Sequence, residues 1–146
     1  DWRQYWNGDS PKHEDLCRDM LLSDLRLKLE PLGIDAQPEV RYADDNRTDI
    51  RVAYSDFKVP VEVKKSTHRD LWRAIREQLI TKYTRDPGAD GYGIYLVFWF
   101  GAEGCPMPPS GKRPSSAHEL RVRLLDTLSA DEKFKISICV IDVSKP

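Results

Sequence analysis

Three observations in the sequence predict an α/β protein built on a mixed central sheet flanked by helices. Amphipathic segments alternate with strand-length apolar runs in the order helix, three strands, helix, strand, helix, strand. Two of the runs, 49–54 and 59–65, lie close enough to pair as an antiparallel hairpin. The run 91–100 is almost wholly apolar, as a strand covered on both faces should be.

The elements follow in order. Trp2, Tyr5 and Trp6 sit at helical spacing and mark residues 1–12 as an aromatic extension to a domain spanning 13–146, either padding that domain or the stub of an upstream one. Pro11 is expected to open a helix running to about residue 30. Leu21, Leu25 and Leu29 form its apolar stripe, and Pro31 and Gly33 end it. A short strand over 37–42 leads through a polar turn at Asp44, Asp45 and Asn46 into the hairpin. Thr67, with Asp70 three residues on, reads as a capping box for a helix over 70–84 that turns Leu71, Ile75 and Leu79 inward. The stretch 101–115, rich in Gly, Pro and Ser, is a long loop. Ser116 and Glu119 cap a last helix through Leu128, and 134–143 is the final strand.

The chain has 146 residues, enough for one domain with a substantial core, and is 40% hydrophobic and 32% charged. A net charge of −1 argues against a generally basic nucleic-acid binder. The charge is uneven, however. Residues 1–57 carry 8 basic and 13 acidic side chains, whereas residues 58–86 carry 8 basic and 4 acidic. That local basic field suits a polyanion, or is simply the solvated face of a helix. Cys17, Cys105 and Cys139 are far apart and form no CxxC pair, so a reducing cytoplasm is expected and a disulfide framework is not. No apolar run reaches membrane-spanning length, so no membrane partner is expected. A chain that starts at Asp1 reads as a piece of a larger multidomain protein.

Chemistry concentrates on the hairpin. Strand alternation puts Asp49, Arg51 and Ala53 on one face, and Pro60, Glu62 and Lys64 on one face of the second strand. If Ser55 and Asp56 form a two-residue turn, Asp49 falls opposite Glu62; if the loop is two residues longer, it falls opposite Lys64. In both registers two carboxylates and a lysine share one patch of sheet. Acids about 5 Å apart repel unless a cation lies between them, which suggests a divalent metal with an ammonium beside it. The bland reading of the same residues is a surface cross-strand salt bridge. Lys65 turns to the Val61 and Val63 face and is not expected to take part.

Asp49 and the triplet Glu62-Val63-Lys64, on the second and third strands of an α-β-β-β-α-β core, resemble the PD-(D/E)XK superfamily of restriction-endonuclease-like nucleases. The resemblance in element order covers residues 13–143, and Thr48 stands where the family often has proline. It implies a Mg²⁺- or Mn²⁺-dependent nuclease acting on DNA rather than RNA, with Asp49, Glu62 and Lys64 catalytic. The metal would be held by Asp49, Glu62 and the Val63 carbonyl, with Glu14 joining from the first helix. Glu14 also reads as a first-turn acid opposing the helix dipole. Gln78 resembles the glutamine of the QxxxY motif of RecB-type nucleases, although Tyr83 follows one residue late. Arg69, Arg73, Arg76, Lys82, Lys112 and Arg113 are candidate phosphate contacts. Double-strand cutting would call for a homodimer. Two further classes stay open: a non-catalytic nucleic-acid- or protein-binding module with this fold, and a hydrolase of another phosphate ester.

Overall fold

The computed structural model describes residues 1–38 and 49–146. The polar turn at 44–46, Thr48 and most of the strand expected over 37–42 lie outside the described residues.

A five-stranded mixed sheet carries the fold, in the order β3 (Asp35–Pro38), β4 (Ile50–Tyr54), β5 (Phe57–Lys65), β6 (Gly93–Trp99), β7 (Ile136–Asp142). β4 runs antiparallel to both of its neighbours, β3 and β5; β5, β6 and β7 run parallel. Tyr54 pairs with Phe57 and Ile50 with Val61, the register of a two-residue turn. Ser55 takes the left-handed conformation (φ 52°) that such a tight hairpin demands.

Helix α1 (Glu14–Leu29) covers one face of the sheet. Cys17 and Leu21 from α1 pack there against Val61, Val63, Leu96 and Phe98. On the other face Leu71, Ile75, Leu79, Leu120 and Leu124 pack against Tyr95, Val97 and Ile138. The period-two alternation of β5 therefore sends its valines toward α1 and sends Glu62 and Lys64 toward the second helical layer.

The N-terminal aromatics belong to the α1-side core. Tyr5 is buried with its ring centroid 4.9 Å from that of Phe98, and the Trp6 indole donates to the Val143 carbonyl at 2.7 Å. Pro11 does not open the helix. It lies in β2 (Ser10–Pro11), paired with β1 (Trp6–Asn7), and α1 starts at Glu14 behind an N-cap at His13.

The helix expected over 70–84 forms, but in two parts. Its α-helical turn, α2 (Leu71–Ala74), passes into a π-helical stretch, Ile75–Tyr83. Leu71, Ile75, Leu79 and Tyr83 are spaced by four, a stripe that drifts around an α-helix of 3.6 residues per turn. In the π-helical stretch, bonded i to i+5, Ile75, Leu79 and Tyr83 still face the core. The Tyr95 hydroxyl donates to the Leu71 carbonyl at 2.6 Å. Thr67 is not the cap: Asp70 is, and the Asp70 N–H donates to His68 Nδ1 at 3.0 Å, which makes His68 a loop residue. The π-helical stretch sits so close to β6 that a Cβ on Gly93 would come within 2.9 Å of both Leu79 Cδ1 and Thr84 Cγ2. Gly93→Ala should accordingly destabilise the protein by about 1–3 kcal/mol, as overpacking does, read as a lower urea midpoint.

Helix α3 (Ala117–Asp126) is capped by Ser116 as expected, but it is not the last helix. Ser129 and Glu132 form a reciprocal capping box that opens α4 (Ala130–Lys135). Phe134, 84% exposed, belongs to α4, and the final strand begins at Ile136. The loop over 101–115 is anchored by buried Cys105 and by the Trp72 indole donating to the Pro106 carbonyl at 3.0 Å.

Candidate functional site

The site arises because β5 outruns β4. Ile50 is the first residue of β4 and pairs with Val61, so residues 62–65 continue along β6 with no β4 neighbour. An unpaired strand edge needs hydrogen-bond acceptors for its N–H groups. Two carboxylates supply them. Asp49 Oδ2 accepts from the Val63 N–H at 2.8 Å, and Glu14 Oε2 accepts from the Lys65 N–H at 2.9 Å. Asp49 arrives from the residue before β4, and Glu14 from the first turn of α1 on the opposite layer.

Between these acids lies Lys64. Its Nζ is 2.5 Å from Glu62 Oε1, donates to the Val63 carbonyl at 3.2 Å, and is 3.8 Å from Glu14 Oε1. Glu62 and Lys64 are buried, 2% and 6% exposed. Glu62 Oε2 is buried as well and accepts no hydrogen bond from any described residue. Burial, reinforced by the nearby Asp49 charge, pushes the Glu62 carboxyl up to about 8 despite Lys64. Burial also raises Asp49, against the opposing pull of Lys64 and of the Val63 N–H. For Lys64 burial acts downward, but Glu62, Asp49 and Glu14 outweigh it and hold the ammonium above its ordinary range.

The donor set suits a hard divalent cation in one respect and is incomplete in another. Among the described residues one buried Glu62 oxygen has no hydrogen-bond partner and the three carboxylates face two cations, Lys64 and Arg18, so further positive charge would be stabilised there. Among the described residues, however, no three His, Cys, Asp or Glu side chains converge closely enough to form a metal cage. The Lys64 ammonium and the edge N–H groups of β5 stand between them. Mg²⁺ characteristically uses one or two carboxylates and keeps several waters, so a complete protein cage is not required for it.

Of the residues singled out in the sequence, Glu14, Asp49, Glu62, Val63 and Lys64 are brought together. Lys65 is turned away as expected: its Nζ donates to the Lys12 carbonyl at 3.0 Å and lies over the Phe100 ring. Gln78 is half-buried in the π-helical stretch, and among the described residues no hydrogen bond ties it to the cluster. The candidate phosphate contacts divide. Arg76 is held by a two-pronged ion pair with Glu132 at 2.8 and 2.9 Å, so it ties the π-helical stretch to α4. Arg73 pairs with Asp70, and Arg69 lies 3.6 Å from the same carboxylate. Lys82, Lys112 and Arg113 are exposed. Arg18 went unread in the sequence. Its Nη1 is 3.6 Å from Asp49 Oδ1 and 3.0 Å from Asp15 Oδ1. The available signal was its position four residues after Glu14, on the same face of α1.

Fold and site together define a mixed α/β protein with a buried carboxylate–lysine cluster at the end of the third sheet strand that runs beyond its pairing with β4. The chain belongs to the family described as a domain of unknown function (DUF8371), whose model matches residues 1–102, a span that holds every member of the cluster. No curated protein and no solved structure matches the chain. No helix among the described residues is long and apolar enough to cross a membrane.

Proposed function

We propose that the chain is a divalent-metal-dependent nuclease domain of the restriction-endonuclease-like class, hydrolysing phosphodiester bonds of DNA. The observation that carries the reading is Glu62: a buried carboxylate with one oxygen on Lys64 and the other without a partner among the described residues, beside Asp49 and Glu14. The order α1, β3, β4, β5, α2, β6 supports it, being the α-β-β-β-α-β order of that class.

In this reading Asp49, Glu62 and the Val63 carbonyl hold Mg²⁺ or Mn²⁺, with Glu14 assisting. The metal supplies Lewis-acid stabilisation of phosphate charge and acidification of water. Lys64, held protonated by its carboxylates, offsets negative charge developing on the phosphate rather than taking a proton. The val-rich underside of β5 fixes the spacing of Glu62 and Lys64, because Val61 and Val63 are locked into the α1-side core. Exposed Lys82, Lys112 and Arg113 are available to nucleic-acid phosphates, and a role as the effector part of a larger defence, restriction or repair protein fits such an activity. The test is cleavage of plasmid, linear and single-stranded DNA, and of RNA, with Mg²⁺ or Mn²⁺. Glu62→Ala and Lys64→Ala are each expected to lower the rate at least about a hundredfold; variants that cut as well as the parent would sink the assignment.

One observation favours a second reading. Lys64 already contacts Glu62, Val63 and Glu14, as a purely structural ion cluster in a non-catalytic binding module would require. Such a module should give no Mn²⁺ binding heat, and its affinity for nucleic acid should survive Asp49→Ala.

A further inference from the structure

Asp49 presents its two oxygens to different partners. Oδ2 is committed to the Val63 N–H at 2.8 Å, on the inner side of the site. Oδ1 faces outward toward the Arg18 guanidinium, whose Nη1 is 3.6 Å away. The Arg18 side chain is a quarter exposed and is tethered from α1 by Asp15 and Asp19, each at 3.0 Å. Among its carboxylate contacts to described residues, its hold on Asp49 is thus the longest and loosest, and at 25% side-chain exposure Arg18 lies nearer solvent than Lys64 at 7%.

We propose that Arg18 is an exchangeable cation for the site: it neutralises the outer oxygen of Asp49 in the metal-free protein, yields it to the divalent cation, and then presents its guanidinium to a phosphate of the nucleic acid. The inference rests on the nuclease reading above. A guanidinium that gives up one carboxylate while staying tethered by Asp15 and Asp19 remains close to Asp49. Its planar donor fork matches two phosphate oxygens. The charge logic also closes: a divalent ion entering a cluster of three carboxylates and one lysine no longer needs the outer arginine, whereas a phosphate arriving with the ion does.

Two effects of opposite sign follow from one substitution. Removing the competing cation should tighten Mn²⁺ binding, and removing the phosphate contact should weaken nucleic-acid binding. For a partly exposed pair the first is about three- to fivefold in Mn²⁺ affinity. The second should reach about tenfold in DNA affinity, with a salt-dependence slope shallower by about one unit. A residue that merely shores up α1 would move both in the same direction.

The experiment is calorimetric titration of Mn²⁺ into the full chain, its Arg18→Ala and Arg18→Gln variants, and a Lys28→Ala control that removes one positive charge from α1 without touching Asp49. DNA affinity of the same proteins is measured at several salt concentrations in Ca²⁺. Tighter Mn²⁺ binding by both Arg18 variants, with an unchanged control and weaker DNA binding, is the expected result. Mn²⁺ affinity that is unchanged or lower in both Arg18 variants overturns the exchange. So does a gain that Lys28→Ala shares, since it would then come from net charge alone. Unchanged DNA affinity and salt slope overturn the phosphate role. A parent chain that binds no Mn²⁺ sinks the nuclease reading itself, and the exchange with it.

Discussion

Replacing Glu62 by glutamine is expected to make the protein more stable at pH 8 and, on the proposed nuclease reading, to abolish cleavage. In the fold, burial and the Asp49 charge raise this carboxyl from 4.5 to about 8. In the unfolded chain it ionises near its ordinary value. Between those two values the native state therefore holds a proton that the unfolded state has lost, and stability falls as pH rises through the interval. Below about 4.5 both states are protonated and Glu62 imposes no penalty. At pH 8 the cost of the raised carboxyl approaches 5 kcal/mol as an upper bound, at about 1.4 kcal/mol per unit. Glutamine keeps an acceptor for Lys64 but never ionises, so it should recover about 2–4 kcal/mol of this at pH 8 and little at pH 4.5. Urea unfolding of parent and variant across that range measures the difference. A gap that is constant with pH would show that Glu62 is not the strained group. Mn²⁺ binding should be lost in the same variant, because the amide removes the charge that the orphaned oxygen offers a cation. Gains in stability when a functional carboxylate is neutralised are the usual mark of a site kept at the expense of the fold.

Much of this geometry was legible in the sequence, for a reason that can be traced. Strand alternation alone separates Glu62 and Lys64 from Val61, Val63 and Lys65, and the register follows once Ser55 and Asp56 form a two-residue turn. The inward stripe Leu71, Ile75, Leu79 is likewise a local pattern, and all three are buried. What escaped was non-local or competed with another local signal. Pro11 is an acceptable first residue for a helix, but pairing with Trp6 in a two-stranded ribbon claims it. Thr67 and Asp70 match a capping box, yet the imidazole of His68 reaches the Asp70 N–H first. Phe134 looks like the start of a strand, but Ser129 and Glu132 draw it into a short helix. The change from α- to π-helical bonding leaves the hydrophobic pattern nearly the same, so the sequence carries no mark of it. At the site, Arg18 and the edge-capping roles of Asp49 and Glu14 depend on where β4 begins relative to β5, which no single segment records. The pairing of Arg76, a candidate phosphate contact, with Glu132, 56 residues away in sequence, is likewise recorded by no local pattern.

Lys64→Met should do the reverse of Glu62→Gln to stability while separating metal binding from cleavage. The ammonium is the only buried cation in the cluster among the described residues, and it serves Glu62, the Val63 carbonyl and Glu14 at once. Removing one partner of a buried ion pair leaves uncompensated charge, which typically costs about 3–5 kcal/mol. Glu62, whose carboxyl burial already raises, can escape part of that cost by keeping its proton, so the loss should be small at pH 5 and largest at pH 8. Methionine fills the volume of the lysine stem, which keeps the loss electrostatic rather than a cavity effect. The double variant Glu62→Gln with Lys64→Met should regain much of the lost stability, and the non-additivity in a double-mutant cycle reports the coupling of the pair. Mn²⁺ should still bind Lys64→Met, since every oxygen donor remains and a competing positive charge is gone, yet cleavage should fall at least about a hundredfold. A variant that binds the metal and cannot cut would place Lys64 in the chemistry. If it neither binds nor cuts while remaining folded, the lysine instead holds Glu62 and Glu14 in position, and the cluster is one architectural unit rather than a metal site with a separate charge-offsetting ammonium.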